Sequence, residues 1–358
     1  NEGFLRHKGS KYAVQSGNDG SLKGYVFNVY MNKKDFPSRD LESFDDATIK
    51  AYCSEALDNG FEIIFIHVVN NFFKLGTFSY EEHNSINPDL ATFARLDQII
   101  RKARQSGCRV MLWAWGDESR KWTPVGVGNG INGDADRRLQ RYIAARLGPV
   151  PGWSMGYGFD LFEWVDRKAL RTWQKYMHVH MGWQHLLSAR ATDLQDPNNI
   201  NGYAIEDKEI GDFYGPAYPN MNEIIDQLDS DQDNPHLYEE RHAWRRWGLD
   251  ETQTRRLLWR TVMADGMGGW YGFYGENSAG NPPPYPKTLK IAFKTHYSFW
   301  HKKDRYRLDL SRANDLTDGY CLKSNNKPTY ILYKENASTI RVDLSNMPEA
   351  QKAIAINT

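Results

Sequence analysis

The chain has 358 residues, a length that suits a barrel domain with a small additional unit. Its 45 Lys and Arg residues balance its 45 Asp and Glu residues, so the formal net charge is zero. This balance gives no long-range attraction to nucleic acid or anionic lipid, and no apolar run reaches the roughly 18 residues that span a membrane. We therefore expect neither a nucleic-acid partner nor a membrane span.

Alternating apolar runs and amphipathic stretches from residue 24 onward predict repeated strand–helix units. The predicted strands are 24–32, 61–69, 109–115, 152–157, 185–190, a weaker sixth around 202–205, 236–240 and 269–273. The predicted helices are 45–57, 90–105, 136–147, 165–181, 222–228, 251–265 and 287–299. Eight strands with intervening helices predict an α/β fold, the (β/α)8 TIM barrel. No Gly-rich phosphate loop follows the first strand, which argues against an open doubly wound sheet.

Two shorter β segments flank the predicted barrel. After Trp300, the segments 329–334 and 339–344 alternate apolar and polar residues between Asn, Gly and Pro turns, which predicts a small C-terminal antiparallel β unit. The opening residues predict a hairpin that packs on the barrel or on this unit. The predicted domains are residues 1–20 for the hairpin, 21–300 for the barrel and 301–358 for the β-sandwich-like unit.

Aromatic residues are abundant, with 12 Trp, 20 Tyr and 16 Phe. Flat rings of this kind either fill a large core or stack on sugar rings in a concave site. The sequence contains no GxSxG elbow, and its His and Cys residues have no metal-ligand spacing. We therefore predict a carbohydrate ligand and neither a metal nor a cofactor.

Polar and aromatic residues cluster where the predicted strands end, which is where barrel enzymes place their catalytic groups. In chain order they are Asn70, Trp113, Trp115, Asp117, Asp160, Glu163, Arg190, Glu239, Glu240, Tyr271 and Tyr274. Carboxylates after strands four and seven face each other across a barrel mouth. They suit glycoside hydrolysis, in which retaining enzymes hold two carboxyl groups about 5–5.5 Å apart.

Each of these acids also has a plainer interpretation. Asp160 suits an Asx turn, and Glu163 precedes a predicted helix. Glu239 and Glu240 are adjacent on a strand and must point to opposite sides, so one of them is structural or exposed.

Several segments resemble the apiosidase-like glycoside hydrolases of clan A, barrel enzymes followed by a β domain that has been labelled collagen-binding. The similar segments are GFLRHKGSKYAVQSGNDG, RYIAARLGPVPGWSMG, NPHLYEERHA, RRLLWRTVMADGMGGWYGFYGEN and YCLKSNNKPTYILYKENASTIRVDLS. The strand-seven segment is similar to the family pattern P-v-l-x-x-E, which implies that Glu240 is the nucleophile. Clan A enzymes usually end strand four with Asn-Glu, and apiosidase-like members can show Gly-Asp. This chain has GYGFDLFEW there, so the acid/base stays open between Asp160 and Glu163.

The resemblance implies a retaining glycosidase that acts on a polysaccharide or oligosaccharide, and a secreted or periplasmic location, although no signal peptide is visible. We expect sugar stacking by Trp113, Trp115, Tyr271 and Tyr274, and further substrate contacts from Asn70, Asp117, Arg190 and Glu239. Two alternatives remain. One is a non-catalytic carbohydrate-binding barrel. The other is a polysaccharide lyase, in which Tyr157 or Tyr238 would act beside Arg190.

Overall fold

The structure is a computed structural model. It describes residues 5–8, 11–16, 21–24, 29–32, 41–77, 86–116, 123–158, 161–183, 185–190, 207–210, 220–229, 236–238, 250–268, 270–272, 287–301, 305, 308–325, 327–345 and 352–356. Within these residues the chain forms an N-terminal antiparallel sheet, a parallel barrel surrounded by helices, and a C-terminal antiparallel sheet. No helix in the described ranges has the length and apolar character that crossing a membrane requires.

The N-terminal sheet consists of β1 (Leu5–Lys8), β2 (Lys11–Ser16) and β3 (Ser21–Gly24) in that order. Both pairings are antiparallel, with Leu5 opposite Val14 and Ala13 opposite Gly24. The third strand comes from residues that we assigned to the barrel from sequence. Its antiparallel pairing with β2 therefore makes this sheet larger than the expected hairpin.

Parallel strands form the barrel. They are β4 (Val29–Asn32), β5 (Ile63–His67), β6 (Arg109–Trp113), β7 (Trp153–Gly156), β8 (Leu187–Arg190), β9 (Asp207–Ile210), β10 (His236–Tyr238), β11 (Met267–Gly268) and β12 (Trp270–Gly272). The strands from β4 to β11 follow one another in space as they do in sequence, and β12 lies beside β4. This order is that of a TIM barrel and confirms the predicted fold class.

The short strands β11 and β12 together act as the eighth strand and close the barrel. Met267 of β11 pairs with Leu237 of β10, and Tyr271 of β12 pairs with Met31 of β4. Only one residue separates the two segments in the sequence. The sheet is therefore continuous from the first barrel strand back to itself.

Seven helices are described around the barrel and its closing strand. They are α1 (Asp46–Asp58), α2 (Leu90–Gln105), α3 (Asp134–Leu147), α4 (Arg167–His180), α5 (Met221–Asp229), α6 (Glu251–Met263) and α7 (Lys287–His301). Four of them begin at an aspartate whose carboxylate accepts a backbone N–H three residues later, which satisfies a donor that the first helical turn leaves unpaired. These caps are Asp45, Asp89, Asp166 and Asp250.

Two sequence-predicted strands differ from the structure. The sixth barrel strand is described at 207–210, beyond the predicted 202–205, and residues 202–205 lie outside the described ranges. The predicted strand 339–344 is wrong, because only an isolated bridge between Val342 and Thr317 forms there. Ile340 and Leu344 are exposed, so this alternating segment has no apolar surface to pack on.

The C-terminal sheet contains β13 (Leu310–Arg312), β14 (Tyr320–Ser324) and β15 (Tyr330–Tyr333), all antiparallel. It packs on the barrel helices through a set of buried residues that we call the second-half core: Met221, Ile224, Leu257, Trp259, Val262, Met263, Ala264, Trp300, Leu308, Leu310, Leu322, Ile331 and Tyr333. The indole of Trp259 stacks on the ring of Tyr333 at 6.1 Å. The sheet is thus joined to α6 by direct side-chain packing.

A larger set of buried residues, the first-half core, lies between β5–β8 and the helices α1–α4. It includes Ile49, Tyr52, Ile64, Ile66, Phe93, Leu96, Val110, Leu112, Leu139, Ile143, Trp153, Met155, Trp173 and Leu187. Alternate residues of β5 and β6 belong to this layer, namely Ile64, Ile66, Val110 and Leu112. Since side chains alternate along a strand, the intervening positions face the barrel interior.

Candidate active site

The carboxyl ends of the barrel strands define the face where a barrel enzyme places its site. The strands end at Asn32, His67, Trp113, Gly156, Arg190, Ile210, Tyr238 and Gly272. Because all of these strands run parallel, these residues lie at the same end of the barrel. The helices α1–α4 and α7 begin on this side and run back along its outside.

The interior beneath this face is filled by aromatic side chains from strands two and three. The Phe65 ring lies 5.6 Å from the Trp113 indole and 6.2 Å from the His67 imidazole. Trp113 also lies against Gly156 on the neighbouring strand, where an added Cβ would come within 1.9 Å of the indole. Glycine at 156 is therefore required for the indole to lie across the barrel at this level.

His67 ends strand two and is buried. Its Nε2 lies 3.2 Å from the carbonyl oxygen of Trp115, which is within hydrogen-bond distance. This contact ties the end of strand two to the segment that follows strand three. It also places a titratable ring at the level where the strands end.

The segment after strand two is held in an unusual backbone conformation. Val69 has a φ of +49°, in the left-handed region that a β-branched residue seldom adopts. Two backbone hydrogen bonds support it, from Val68 N to Trp113 O at 2.9 Å and from Val69 N to Ala114 O at 2.8 Å. The turn directs the chain into a short 3-10 helix that buries Asn70, so strain is stored next to a predicted substrate-binding residue.

Trp115 lies outside this interior group. It is 1% exposed and packs against Phe72 at 5.8 Å and Phe73 at 6.2 Å. Trp113 is likewise fully buried. The described contacts of both indoles are packing contacts, which do not favour the sugar stacking that we expected of them, and that role stays a prediction.

The end of strand four is covered by aromatic rings. The Tyr157 ring stacks on Trp164 at 5.4 Å and tilts against Trp173 at 4.5 Å. At Gly158 an added Cβ would lie 2.7 Å from the Trp164 indole, so glycine lets this ring close over the strand end. These contacts fix the backbone immediately before the segment that contains the predicted acid/base.

A buried polar network supports the same strand end from outside. Asp136, in the first turn of α3, accepts hydrogen bonds at Oδ2 from Asn132 N and from Gln140 Nε2, both at 2.8 Å. The side-chain Nδ2 of Asn132 also donates to Ala169 O in the first turn of α4, at 3.0 Å. The network therefore joins the beginnings of the helices that follow strands three and four.

The carboxyl group of Asp136 has a raised pKa. Burial raises its pKa to about 6, although hydrogen bonds from Asn132 and Gln140, the charge of Arg137 and the hydroxyl of Tyr157 act in the opposite direction. The Tyr157 hydroxyl therefore lies near the Asp136 carboxyl, beside the end of strand four. A titratable acid with a pKa near neutrality therefore lies next to the predicted active-site face.

The predicted site residues fall into three groups. Asn70, Trp113 and Trp115 are described and buried, and Glu163 is described in the 3-10 helix Leu161–Glu163 and exposed. Arg190 is the last residue of β8, and Tyr271 lies in β12, where it pairs with Met31. The remaining predicted residues lie outside the described residues: Asp117, Asp160, Glu239, Glu240 and Tyr274.

Sequence analysis did not select His67 or Asp136 as site residues. His67 had a usable signal, because it is the one polar residue near the end of the apolar run FEIIFIHVV. Asp136 had none, since an acid in the first turn of a helix is usually a solvated partner of the helix dipole. Its burial depends on the tertiary packing of α3 beside Tyr157.

Several solved structures are similar to this chain. Among solved structures, a glycoside hydrolase family 5 protein from Bacteroides vulgatus aligns with a TM-score of 0.62 at 12% identity, covering 91% of this chain and 79% of its own. A structure described as a glycoside hydrolase aligns at 0.57 and 14%, covering 91% and 82%. The endo-1,4-beta-mannanase from Rhizomucor miehei aligns at 0.55 and 12%, covering 84% and 99%. A comparison with curated proteins gives no match.

The fold is therefore the TIM barrel that these hydrolase structures share, with its candidate site at the carboxyl end of the strands. The profile of the apiosidase-like catalytic domain matches residues 41–279, which is more than half of the chain. The chain belongs to the apiosidase-like family. The match ends before the C-terminal sheet, and the collagen-binding label of the resemblance stays an expectation for that sheet.

Proposed function

We propose that the protein is a retaining glycoside hydrolase that cleaves glycosidic bonds of a polysaccharide or oligosaccharide with two carboxylates. Membership of the apiosidase-like family is the observation that carries this proposal. The barrel supports it, because β7 and β10 are three positions apart in the ring of strands. Side chains after these two strands can therefore approach a substrate from opposite sides of the mouth.

The proposed reaction has two steps. A carboxylic acid donates its proton to the glycosidic oxygen while the second carboxylate attacks the anomeric carbon, so the C–O bond to the leaving group breaks and a glycosyl ester forms. The deprotonated first residue then removes a proton from water, which attacks the same carbon and releases the carboxylate. Neither step needs a cofactor.

We assign the nucleophile to Glu240, after strand seven, and the acid/base to Asp160 or Glu163, after strand four. Glu240 is chosen from the similarity of NPHLYEERHA to the family pattern. Asp160 follows Gly156 by four residues, so it is the nearer of the two to the end of β7. Glu163 is solvent-exposed in a short 3-10 helix.

The strand register supports Glu239, predicted from sequence as a substrate contact, as an alternative nucleophile. Gly156, whose position faces the Trp113 indole, pairs with Ser188, and Ser188 pairs with Asp207. Two residues further along the same face, Glu209 pairs with Leu237. Alternation from position 237 predicts that position 239 faces inward if no bulge intervenes. The two glutamates therefore need to be substituted separately.

The substrate contacts follow from the same face of the barrel. Tyr271 and Tyr274 are proposed to stack on sugar rings, and Asn70 and Arg190 to bind hydroxyl or acidic groups. Trp113 is proposed to form the floor of the pocket, because it lies across the interior on Gly156. Asp117 completes the proposed set. A polymeric glycan substrate would also suit a secreted or periplasmic location.

Site-directed substitution followed by product analysis tests this proposal. Glu240→Gln, Glu239→Gln, Asp160→Asn and Glu163→Gln are each assayed for new reducing ends on a panel of polysaccharides and aryl glycosides. We expect Glu240→Gln to abolish turnover, and one of the two strand-four variants to lose about a hundred- to ten-thousandfold. Azide added to Glu240→Ala should yield a glycosyl azide, because azide replaces the missing nucleophile.

The products also separate the alternatives. The initial anomer released by the wild type, observed by NMR, has the configuration of the substrate if the reaction is retaining. Inverted product would contradict the retaining mechanism. Unsaturated, ultraviolet-absorbing product would indicate a lyase, and binding without new reducing ends would indicate a carbohydrate-binding barrel. Azide rescue of Glu239→Ala instead of Glu240→Ala would move the nucleophile to Glu239.

A further inference from the structure

A groove of about 720 Å³ lies on the outside of the barrel between α3 and α4. Among the described residues that line it, four are cations and none is acidic. Its principal residues are Arg137, Lys168, Arg171, Thr172, Lys175 and Tyr176. In a chain with zero net charge, the groove concentrates positive charge on one part of the surface.

The cations of α4 form a stripe along the groove. Lys168, Arg171 and Lys175 are spaced by three and four residues, which puts them on one face of the helix. Like charges at these spacings destabilise a helix, and α4 contains no Asp or Glu to offset them. Within the described part of the chain, none of the three forms an ion pair. Helix stability therefore does not explain the stripe.

Arg137 forms the opposite wall of the groove and is held in place from below. Its guanidinium lies 4.0 Å from the centre of the Tyr176 ring, and its Nη1 donates to Gln140 Oε1 at 2.7 Å. Gln140 is buried and in turn donates to Asp136. This arrangement orients a cation before any ligand arrives, which lowers the entropic cost of binding.

The groove begins beside the candidate active site. Arg137 and Lys168 lie in the first turns of α3 and α4, the helices that follow β6 and β7. The hydrogen bond from the Asn132 amide to Ala169 O joins these first turns. Since the helices run from the carboxyl end of the strands down the outside of the barrel, the groove extends from the rim of the active-site face toward the opposite end.

We propose that this groove is a secondary binding site for a polysaccharide chain that carries carboxylate groups. The rise of an α-helix puts the three cations of α4 about 4.5 and 6 Å apart along its axis, comparable to one sugar unit, so successive carboxylates of a uronic acid polymer can meet successive cations. Arg137 adds a planar group that pairs with a carboxylate through two hydrogen bonds. A glycan is the ligand because the chain belongs to a family of glycoside hydrolase domains.

Binding to polygalacturonate, and to the same polymer after its carboxyl groups are reduced to alcohols, tests the site. The variant combines Lys168→Gln, Arg171→Gln and Lys175→Gln, and the matched control combines Lys50→Gln, Lys287→Gln and Lys294→Gln. All six residues are exposed, and both sets remove three charges. We expect the groove variant to weaken binding to polygalacturonate about tenfold or more, and the control to change it little. Wild-type binding should weaken with added salt and be lost for the reduced polymer.

Three results would overturn the proposal. They are equal weakening by the control variant, equal binding of the reduced polymer, or tighter groove-dependent binding of single-stranded DNA or anionic vesicles. The inference rests on the proposed glycan ligand, but the measurement needs no turnover. It therefore can succeed or fail independently of the substitutions at Glu239, Glu240, Asp160 and Glu163. Thermal unfolding of both variants checks that each is folded.

Discussion

The two halves of the barrel are supported by different neighbours. The first-half core joins β5–β8 to α1–α4, so these strands and helices provide each other with buried surface. In the second-half core, helices α5 and α6 pack instead against residues of the C-terminal sheet, including Leu322 and Ile331. Helix α7 contributes to both, with Phe293 in the first core and Trp300 in the second.

This difference bears on the proposed mechanism, because the proposal takes one carboxylate from each half. Asp160 and Glu163 follow β7 in the first half, and Glu240 follows β10 in the second. A substitution that destabilises the C-terminal sheet should therefore disturb β10, which precedes the proposed nucleophile, before it disturbs β7. The C-terminal sheet therefore supports the barrel, since its residues complete the packing of α6.

The largest expected effect is that of Trp259→Ala. This indole is 3% exposed and contacts Phe299 at 5.1 Å and Tyr333 at 6.1 Å, so its removal leaves a cavity between α6, α7 and β15. We expect the free energy of unfolding to fall by about 3–5 kcal/mol. Denaturant unfolding measures this loss, and native-state hydrogen exchange at the amides of Cys321 and Leu322 measures the loosening of the sheet.

Trp173→Ala is the matched variant in the first half. Trp173 is 2% exposed and belongs to the first-half core, so we expect a similar loss of stability. The amides of the C-terminal sheet should nevertheless keep their protection relative to global unfolding. Equal loosening of the sheet in both variants would contradict the division into two cores.

The next effect is a pH dependence from Asp136 in the first half. Burial raises the pKa of Asp136 from 3.8 to about 6. Such a group contributes stability below about pH 4 that is lost as pH rises through 6, because the folded protein must then ionise a buried acid. The shift corresponds to about 3 kcal/mol. Asp136→Asn should remove this dependence, because an amide does not titrate. Its oxygen can still accept the hydrogen bonds from Asn132 and Gln140, so the local packing is kept.

Urea unfolding of the wild type and of Asp136→Asn between pH 4 and pH 7 checks this prediction. The stability of the variant relative to the wild type should increase over this range by about 2–3 kcal/mol. Parallel curves for the two proteins would show that Asp136 titrates in the folded state as it does in the unfolded chain. Other titrating groups cancel in this difference because both proteins contain them.

The sequence predicts the first half of the barrel more accurately than the second. The helix 90–105 has its predicted bounds, because an aspartate cap, an apolar stripe and a glycine at 107 all mark it locally. The strand at 207–210 was predicted too early, because its sequence DKEI carries one apolar residue and gives no apolar run. Strand β3 was assigned to the barrel because its pairing with β2 depends on a non-local register.

The candidate site shows the same division. The rule that barrel enzymes place their site where the strands end led to Asn70 and Trp113. It gives no information on burial by neighbouring elements, which is why Trp115 was expected at the surface of the site but packs on Phe72. The role of Asp136 is also non-local, since its acidity depends on the packing of α3 against Tyr157.

A smaller effect of opposite pH dependence is expected from Glu335, which pairs with Arg260 at the junction between β15 and α6. Burial raises its pKa, but hydrogen bonds from Arg260 at 2.6 Å and from the Tyr333 hydroxyl at 2.8 Å outweigh burial, so the pKa is lowered. Glu335→Gln should cost about 1.5–3 kcal/mol near neutral pH. Because the folded-state pKa of Glu335 is below its ordinary value, the ionised carboxylate stabilises the fold at pH values above that ordinary pKa. This stabilisation is lost as the pH falls through the lowered pKa.

Comparison of Glu335→Gln with the wild type at neutral and acid pH measures this effect. The stability of Glu335→Gln relative to the wild type should rise as pH falls, whereas that of Asp136→Asn relative to the wild type should fall. A constant cost for Glu335→Gln at all pH values would show that shape, and not charge, determines the contact with Arg260.

The smallest effect is expected where α7 meets α1 and the two halves join. Lys290 Nζ lies 3.3 Å from Glu55 Oε1, and the two side chains are 39% and 31% exposed. An ion pair in such a setting contributes about 0.2–1 kcal/mol, and less in high salt. A double-mutant cycle with Lys290→Gln and Glu55→Gln isolates the pair, which is necessary because Glu55 also accepts a hydrogen bond from Asn59.

A coupling energy well above this range would mean that charge pairing holds the two halves together. The packing beside the pair argues otherwise. The Phe61 and Phe293 rings meet edge to face at 5.2 Å. At Gly60, where φ is +85°, an added Cβ would lie 2.4 Å from Tyr297 Cβ. Gly60→Ala should therefore destabilise this junction more than Lys290→Gln does, because the backbone that follows α1 approaches α7 too closely for a side chain.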